Sequence, residues 1–245
     1  MASALPIDSA RMAWWLSAWL RGAATPDDVR DAVLDGDAAH DLVGLPGDDG
    51  TTPLLLALGA VRRSGARSAG LALPAPGDPT GLGGPADFNA AALDAGEAVV
   101  LEGADLGLVP VRAGAGVVWQ VLPAARRALV DLGEADRGLR AAVSTAATAL
   151  VDLEVARWRP EVADELMNLR HVPAYDAPPG TPERARSLAG RALQALGITE
   201  LAGQDHGAAV TAHEMAQRAD ALLPLEHAAR RALVAACSPE VWPPD

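Results

Sequence analysis

The sequence predicts an α+β protein, rich in helix, in which a small mixed β-sheet of about four short strands in the N-terminal half packs against a helical C-terminal half. Three observations point there. Apolar residues recur at helical spacing before residue 63 and again after Pro123, they fall into short uninterrupted runs between residues 70 and 122, and Gly and Pro cluster between those runs. At 245 residues the chain is long enough to bury a hydrophobic core. The expected organisation is two regions, 1–122 and 123–245, reading as parts of one continuous domain.

The first helix starts at Asp8 or Ser9, either of which can cap it, and places Met12, Leu16 and Trp19 on one stripe before Gly22 ends it. Thr25-Pro26-Asp27-Asp28 starts the second, with Thr25 as N-cap, Pro26 in the first turn and acids where the helix dipole favours them. Thr52-Pro53 opens a third, through Leu54, Leu55, Leu58 and Val61 to Arg62 and Arg63. Two apolar runs, 70–73 and 97–102, then read as buried strands, separated by a Gly/Pro loop at 74–85 and a short helix at 87–95. Residues 106–112 and 117–122 flank Ala113-Gly114-Ala115-Gly116, a β-hairpin pattern, with Pro110 marking an edge or a bulge. Everything beyond Pro123 reads as helix. Leu139, Val143, Ala146, Leu150 and Leu153 form a core stripe, and further helices are expected at 160–170, 182–201, 211–222 and 225–236.

Charge and missing residue types exclude several functions. The formal net charge is −12, which repels phosphate backbones, so nucleic acid is not an expected partner. All 20 basic residues are Arg, and Ile, Asn, Phe and Tyr are scarce, the mark of a GC-rich, bacterial-type genome. Without Lys the chain cannot build a Walker A loop, a Schiff base or the strand lysine of a protein kinase. Cys237 is the single cysteine, which excludes an intrachain disulfide, a CxxC pair and a thiolate-rich metal site. No apolar run approaches the ~20 residues of a membrane span, and residues 1–7 hold no basic residue for a signal peptide. A cytoplasmic protein without membrane partners is expected.

The sharpest chemical pattern is Gly81-Leu82-Gly83-Gly84-Pro85-Ala86, formally G-x-G-x-x-A, with Glu102 at the end of the next strand. In a dinucleotide site, Gly81, Gly83 and Gly84 would let the backbone approach a pyrophosphate while Glu102 held ribose hydroxyls. Pro85 interrupts the motif, and a hairpin follows where that fold wants a helix crossover, so a Gly/Pro surface loop is the plainer reading. Trp14, Trp15 and Trp19 crowd the first helix. Because successive residues turn by about 100 degrees, they cannot all face one core, and a partner-binding surface is set against core filling.

Eight Asp between positions 27 and 49 read as helix-start and turn acids rather than a cation site. His171, His206, His213 and His227 fall in the helical half, and the last three carry neighbouring acids in sequence, but Gln217 stands where a zincin's second His belongs. No metal and no cofactor is expected, and Trp158-Arg159-Pro160-Glu161 reads as a helix junction. The leading functional expectation is a non-catalytic interaction or regulatory protein, whose partner is another protein or a second copy of itself. The alternative is a small-molecule or nucleotide-binding enzyme with its ligand over the loop 81–86 and Arg112 or Arg67 supplying positive charge. The sequence leaves enzyme status undecided.

Overall fold

The computed structural model describes residues 3–125, 127–152, 174–204 and 212–243. In chain order these form α1 (Asp8–Leu20), α2 (Pro26–Leu34), β1 (His40–Val43), β2 (Thr51–Pro53), α3 (Leu54–Arg63), β3 (Ser68–Ala72), α4 (Ala86–Ala95), β4 (Ala98–Glu102), β5 (Leu106–Ala113) and β6 (Gly116–Pro123). Three long helices follow, α5 (Leu132–Asp152), α6 (Glu183–Gln204) and α7 (Ala212–Ala236), and a 3-10 turn at Pro239–Val241. The class is α+β, as the sequence predicts. No helix among the described residues is long and apolar enough to cross a membrane.

The sheet has six strands rather than four, in the order β2-β1-β6-β5-β4-β3. β1 lies parallel to β6 and every other pair is antiparallel. The two extra strands are short and polar, His40-Asp41-Leu42-Val43 and Thr51-Thr52-Pro53, so neither carries the apolar alternation that marks a strand in sequence. Gly114, at φ 60, is the first of two turn residues joining β5 to β6, a position that favours glycine in hairpins of this length. Pro110 sits where the β4 ladder has already ended at Leu108, so its missing N–H breaks no pairing on that side.

Alternation along β4 assigns its faces. Val99 and Leu101 join the large core beneath α1, while Ala98 and Val100 join a smaller cluster with Phe88 and Ala92 of α4 on the opposite face. Gly107 of β5 leaves room for the Phe88 ring, whose nearest carbon would lie 2.3 Å from an added Cβ. The large core runs without interruption from Leu5 and α1 through the sheet to Leu188 of α6 and Leu233 of α7. Regions 1–122 and 123–245 therefore share one hydrophobic cluster.

Helix starts differ in how they are capped. In α2 the Thr25 side chain accepts from Asp28 N and Asp28 accepts from Thr25 N, a complete capping box. Thr25→Ala should lower folding stability by about 1 kcal/mol, read as a shifted urea midpoint with an unchanged slope; an unshifted midpoint would mean the box contributes nothing. α1 has no cap from Asp8 or Ser9. Its N-cap is Ile7, and the carboxylate of Glu97, distant in sequence, accepts from Ser9 N at 2.7 Å instead.

In the C-terminal half the expected break at Pro224 does not occur, and α7 continues through it. Of the expected stripe on α5, Leu139 and Ala146 are buried, but Val143 is 47% exposed because it lies on the solvent side. The expected helix at 160–170, the junction at Trp158 to Glu161, and His171 and His206 lie outside the described residues. The same holds for Leu153 and for the side chains of Leu150 and His213.

Candidate functional site

The Gly/Pro segment after β3 is folded rather than open. Ala75 and Asp78 exchange both backbone hydrogen bonds, at 2.8 Å each, across Pro76-Gly77, with Gly77 at φ 81 as the third residue of a tight turn. Leu73 N donates to Thr80 O at 3.1 Å, and Gly84 N donates to Asn89 Oδ1 at 2.9 Å. Gly81, at φ 86, lies so close to β3 that an added Cβ would stand 2.6 Å from Ala72 Cα, so only glycine fits there. The Arg127 side chain, 2% exposed, donates to the carbonyls of Leu71 and Gly81, the latter at 3.1 Å, and also reaches Ser238 Oγ at 3.1 Å and Glu240 Oε1 at 3.0 Å. Burial pushes the guanidinium below its ordinary pKa, and Glu240 opposes that shift.

Between this segment and α7 lies a cavity of about 380 Å³. One wall is Asp78, Pro79, Thr80, Gly81 and Leu82; the other is residues 128–130 with Arg231, Val234 and Ala235. Apolar walls with few polar groups are the usual composition of a ligand pocket. Asp78 is 4% exposed. Its Oδ1 accepts from Thr80 Oγ1 at 2.5 Å, whereas Oδ2 is buried without a hydrogen-bond partner among the described residues. Among the described residues that line it there is no His and no Cys.

Of the dinucleotide pattern, Gly81 lines this cavity, but Glu102 does not. β3 and β4 are antiparallel, with Ser68 opposite Glu102 and Ala72 opposite Ala98, so Glu102 lies at the far end of the pair from the loop that follows Ala72. There it meets Arg67 at 3.3 Å. Gly83 and Gly84 precede α4 without lining the cavity, and the Gly81 carbonyl is already taken by Arg127. The structure does not assemble these residues into one nucleotide site. Arg112 also lies elsewhere, bridging Asp8 at 2.8 Å and Asp37 at 2.6 Å.

The tryptophans of α1 separate as well. Trp14 is 1% exposed and donates from Nε1 to Ala236 O at 3.0 Å, and Trp19 is 7% exposed under the Arg62 guanidinium, 3.8 Å from its ring centre. Neither indole is available to a partner in this fold. Trp15, half-buried, lines a separate pocket of about 370 Å³ with Asp28, Asp31 and Asp35. Two other clustered Asp have local partners: Asp27 pairs with Arg30 at 2.7 Å, and Asp48 accepts from Gly50 N at 2.9 Å. Among the described residues no group of three His, Cys, Asp or Glu is placed to hold a metal ion.

Two features have no signal in the sequence. His40 is buried, with Nε2 3.0 Å from Asp37 Oδ2 and Nδ1 accepting from Trp119 Nε1 at 3.0 Å, so both ring nitrogens are engaged. Glu97, at the head of α1, lines a larger cleft of about 580 Å³ between the loop 73–76 and helices α6 and α7. Burial raises the Glu97 carboxyl pKa, opposed by the Ser9 N–H. An acid whose folded pKa lies above its unfolded value of ~4.3 stabilises the fold fully below that value and loses the contribution as pH rises through the folded one. Glu97→Gln should therefore gain on the wild type as pH rises from about 4 to about 7. Urea midpoints of both proteins across that range check this, and parallel curves would mean Glu97 is not displaced upward.

A sequence profile described as "Rv1486c-like protein, N-terminal domain" matches residues 9–132, and one described as "Rv1486c-like protein, C-terminal domain" matches residues 133–234. The chain is 32% identical to the uncharacterized protein Rv1486c of Mycobacterium tuberculosis over 286 aligned positions, spanning 96% of this chain and 98% of that protein. It is 28% identical to the uncharacterized protein ML1804 of Mycobacterium leprae, over 76% of this chain and 79% of that one. No solved structure matches.

Proposed function

The chain belongs to the Rv1486c-like family, and from that premise we propose that it is a non-catalytic, cytoplasmic regulatory protein that binds a small molecule in the cavity between the loop 78–82 and α7. The observation that carries this reading is Asp78, a residue that lines the cavity and whose buried Oδ2 has no hydrogen-bond partner among the described residues. Leaving such a group unpaired is costly, and a ligand donor would satisfy it. The similarity to Rv1486c extends across both regions whose junction forms the cavity, which supports a site common to the whole architecture. Its chemistry supports binding rather than turnover. Thr80 commits its hydroxyl proton to Asp78, and among the described residues that line the space there is no imidazole or thiol.

A thermal-shift screen of small amphiphilic metabolites tests this. A ligand at 100 times its Kd adds about 2.7 kcal/mol of stability, and the shift should vanish in Ala128→Trp, which plugs the cavity from an exposed rim position. A shift of equal size in that variant would place the ligand elsewhere and end the proposal.

A further inference from the structure

Resting on that reading of the cavity, we infer that its ligand is a zwitterion with an apolar body, an amino acid or short peptide, whose ammonium meets Asp78 and whose carboxylate meets Arg231. Several other carboxylates of this protein are answered by a cation, although the partly buried Glu97 is met by the Ser9 N–H instead. Asp8 is answered by Arg11 and Arg112, Asp37 by Arg112, Glu226 by Arg230 at 2.7 Å and Glu240 by Arg127 at 3.0 Å. Asp78 is as deeply buried as Asp8, yet among the described residues it has no cation; its one side-chain partner is the neutral hydroxyl of Thr80. A buried carboxylate calls for a charged donor more strongly than for a second hydroxyl, because the ionised pair recovers more of the lost hydration.

The same cavity holds the opposite case. Arg231 is exposed and lines the mouth without an ion pair among the described residues, although Arg230 beside it is paired. Both unmatched charges line one space and are not paired with each other, and Leu82, Leu129, Val130 and Val234 form the apolar surface around them. A planar guanidinium suits a carboxylate, which it can bind through two parallel hydrogen bonds. A molecule with one positive end, one negative end and an apolar body satisfies all three surfaces, and about 380 Å³ lies in the range of small-ligand sites.

Titration calorimetry at pH 7 and low salt tests the inference with defined probes. The zwitterions are L-leucine, L-leucyl-L-leucine and 6-aminohexanoate, which differ in charge spacing. The controls are 3-methylbutylamine, 4-methylpentanoate and the neutral 4-methylpentanamide. At least one zwitterion should bind saturably and at least tenfold more tightly than every control. Asp78→Asn, which keeps an acceptor for Thr80, should weaken the zwitterion and the amine tenfold or more and leave the carboxylate control unchanged. Arg231→Gln, on an exposed position that does not threaten folding, should weaken the zwitterion and the carboxylate control instead. If the neutral amide binds as tightly as the zwitterions and Ala128→Trp abolishes it, the charge assignment is overturned while the cavity remains a site. If no probe binds, or binding survives Ala128→Trp, the cavity reading fails as well.

Discussion

Replacing Trp14 with Ala is expected to lower folding stability by about 3–5 kcal/mol, the range for deleting a large buried aromatic side chain. Trp14 is among the largest fully buried side chains of the protein and belongs to the cluster that joins α1 to the sheet and to α7. Most of that loss should come from packing rather than from the hydrogen bond. The Ala236 carbonyl that Trp14 caps, one of the helix-end carbonyls without an intrahelical partner, also accepts from Trp242 Nε1 at 3.1 Å. Trp14→Phe separates the two contributions, since it keeps much of the buried area and loses the N–H, worth about 1 kcal/mol. Chemical denaturation of both variants measures this, and in a chain of this size each kcal/mol moves Tm by about 2–4 °C. A Trp14→Ala variant with wild-type stability and a weakened complex with another protein would restore the indole as a contact surface.

Arg127→Met should be about as costly, at about 3–5 kcal/mol. The guanidinium ties the end of β3, the Gly81 carbonyl and the segment after α7 to one buried point. Its removal strands two backbone carbonyls and the Glu240 carboxylate, while the aliphatic volume is kept. Lysine should not rescue, because one ammonium cannot reproduce a planar fork directed at several acceptors at once. The readouts are the denaturation midpoint and the rate of proteolytic nicking in the loop 74–85, which should rise as its anchor is lost. A loss below 1 kcal/mol, with the loop still protected, would mean that Gly81 is held by its own packing on Ala72.

The parts of this fold legible in the sequence are those in which one physical signal dominates. Thr25-Pro26-Asp27-Asp28 starts α2 where capping chemistry places it, and the runs around Leu71 and Val99 are buried strands because both their faces are covered. Signals that need a distant partner are not legible. β1 exists because it pairs with β6, about 77 residues on by the register of His40 with Val117, and nothing in His40-Asp41-Leu42-Val43 announces that partner. The candidate site divides in the same way. The loop 74–85 stands out by composition, and Gly81 does line the cavity, yet the spacing to Glu102 misleads because the intervening strands run antiparallel. Asp78, Arg127 and Arg231 look like ordinary turn, linker and helix-surface residues until the fold brings the first to a wall, the second beneath it and the third across from it. Trp14 resembles an interface residue for a related reason, since its covering surface lies 222 residues away.

That separation bears on how the polypeptide is made. At about 5–20 residues per second of synthesis, α1 emerges from the ribosome on the order of ten to forty seconds before the segment around Ala236 that finishes enclosing its indole. Through that interval the nascent N-terminal half presents a tryptophan-bearing apolar face to its surroundings, a candidate surface for chaperones that hold unfinished chains. A gene cut between the two regions would leave that face uncovered permanently, so the separated halves should aggregate when expressed alone and regain solubility when produced together.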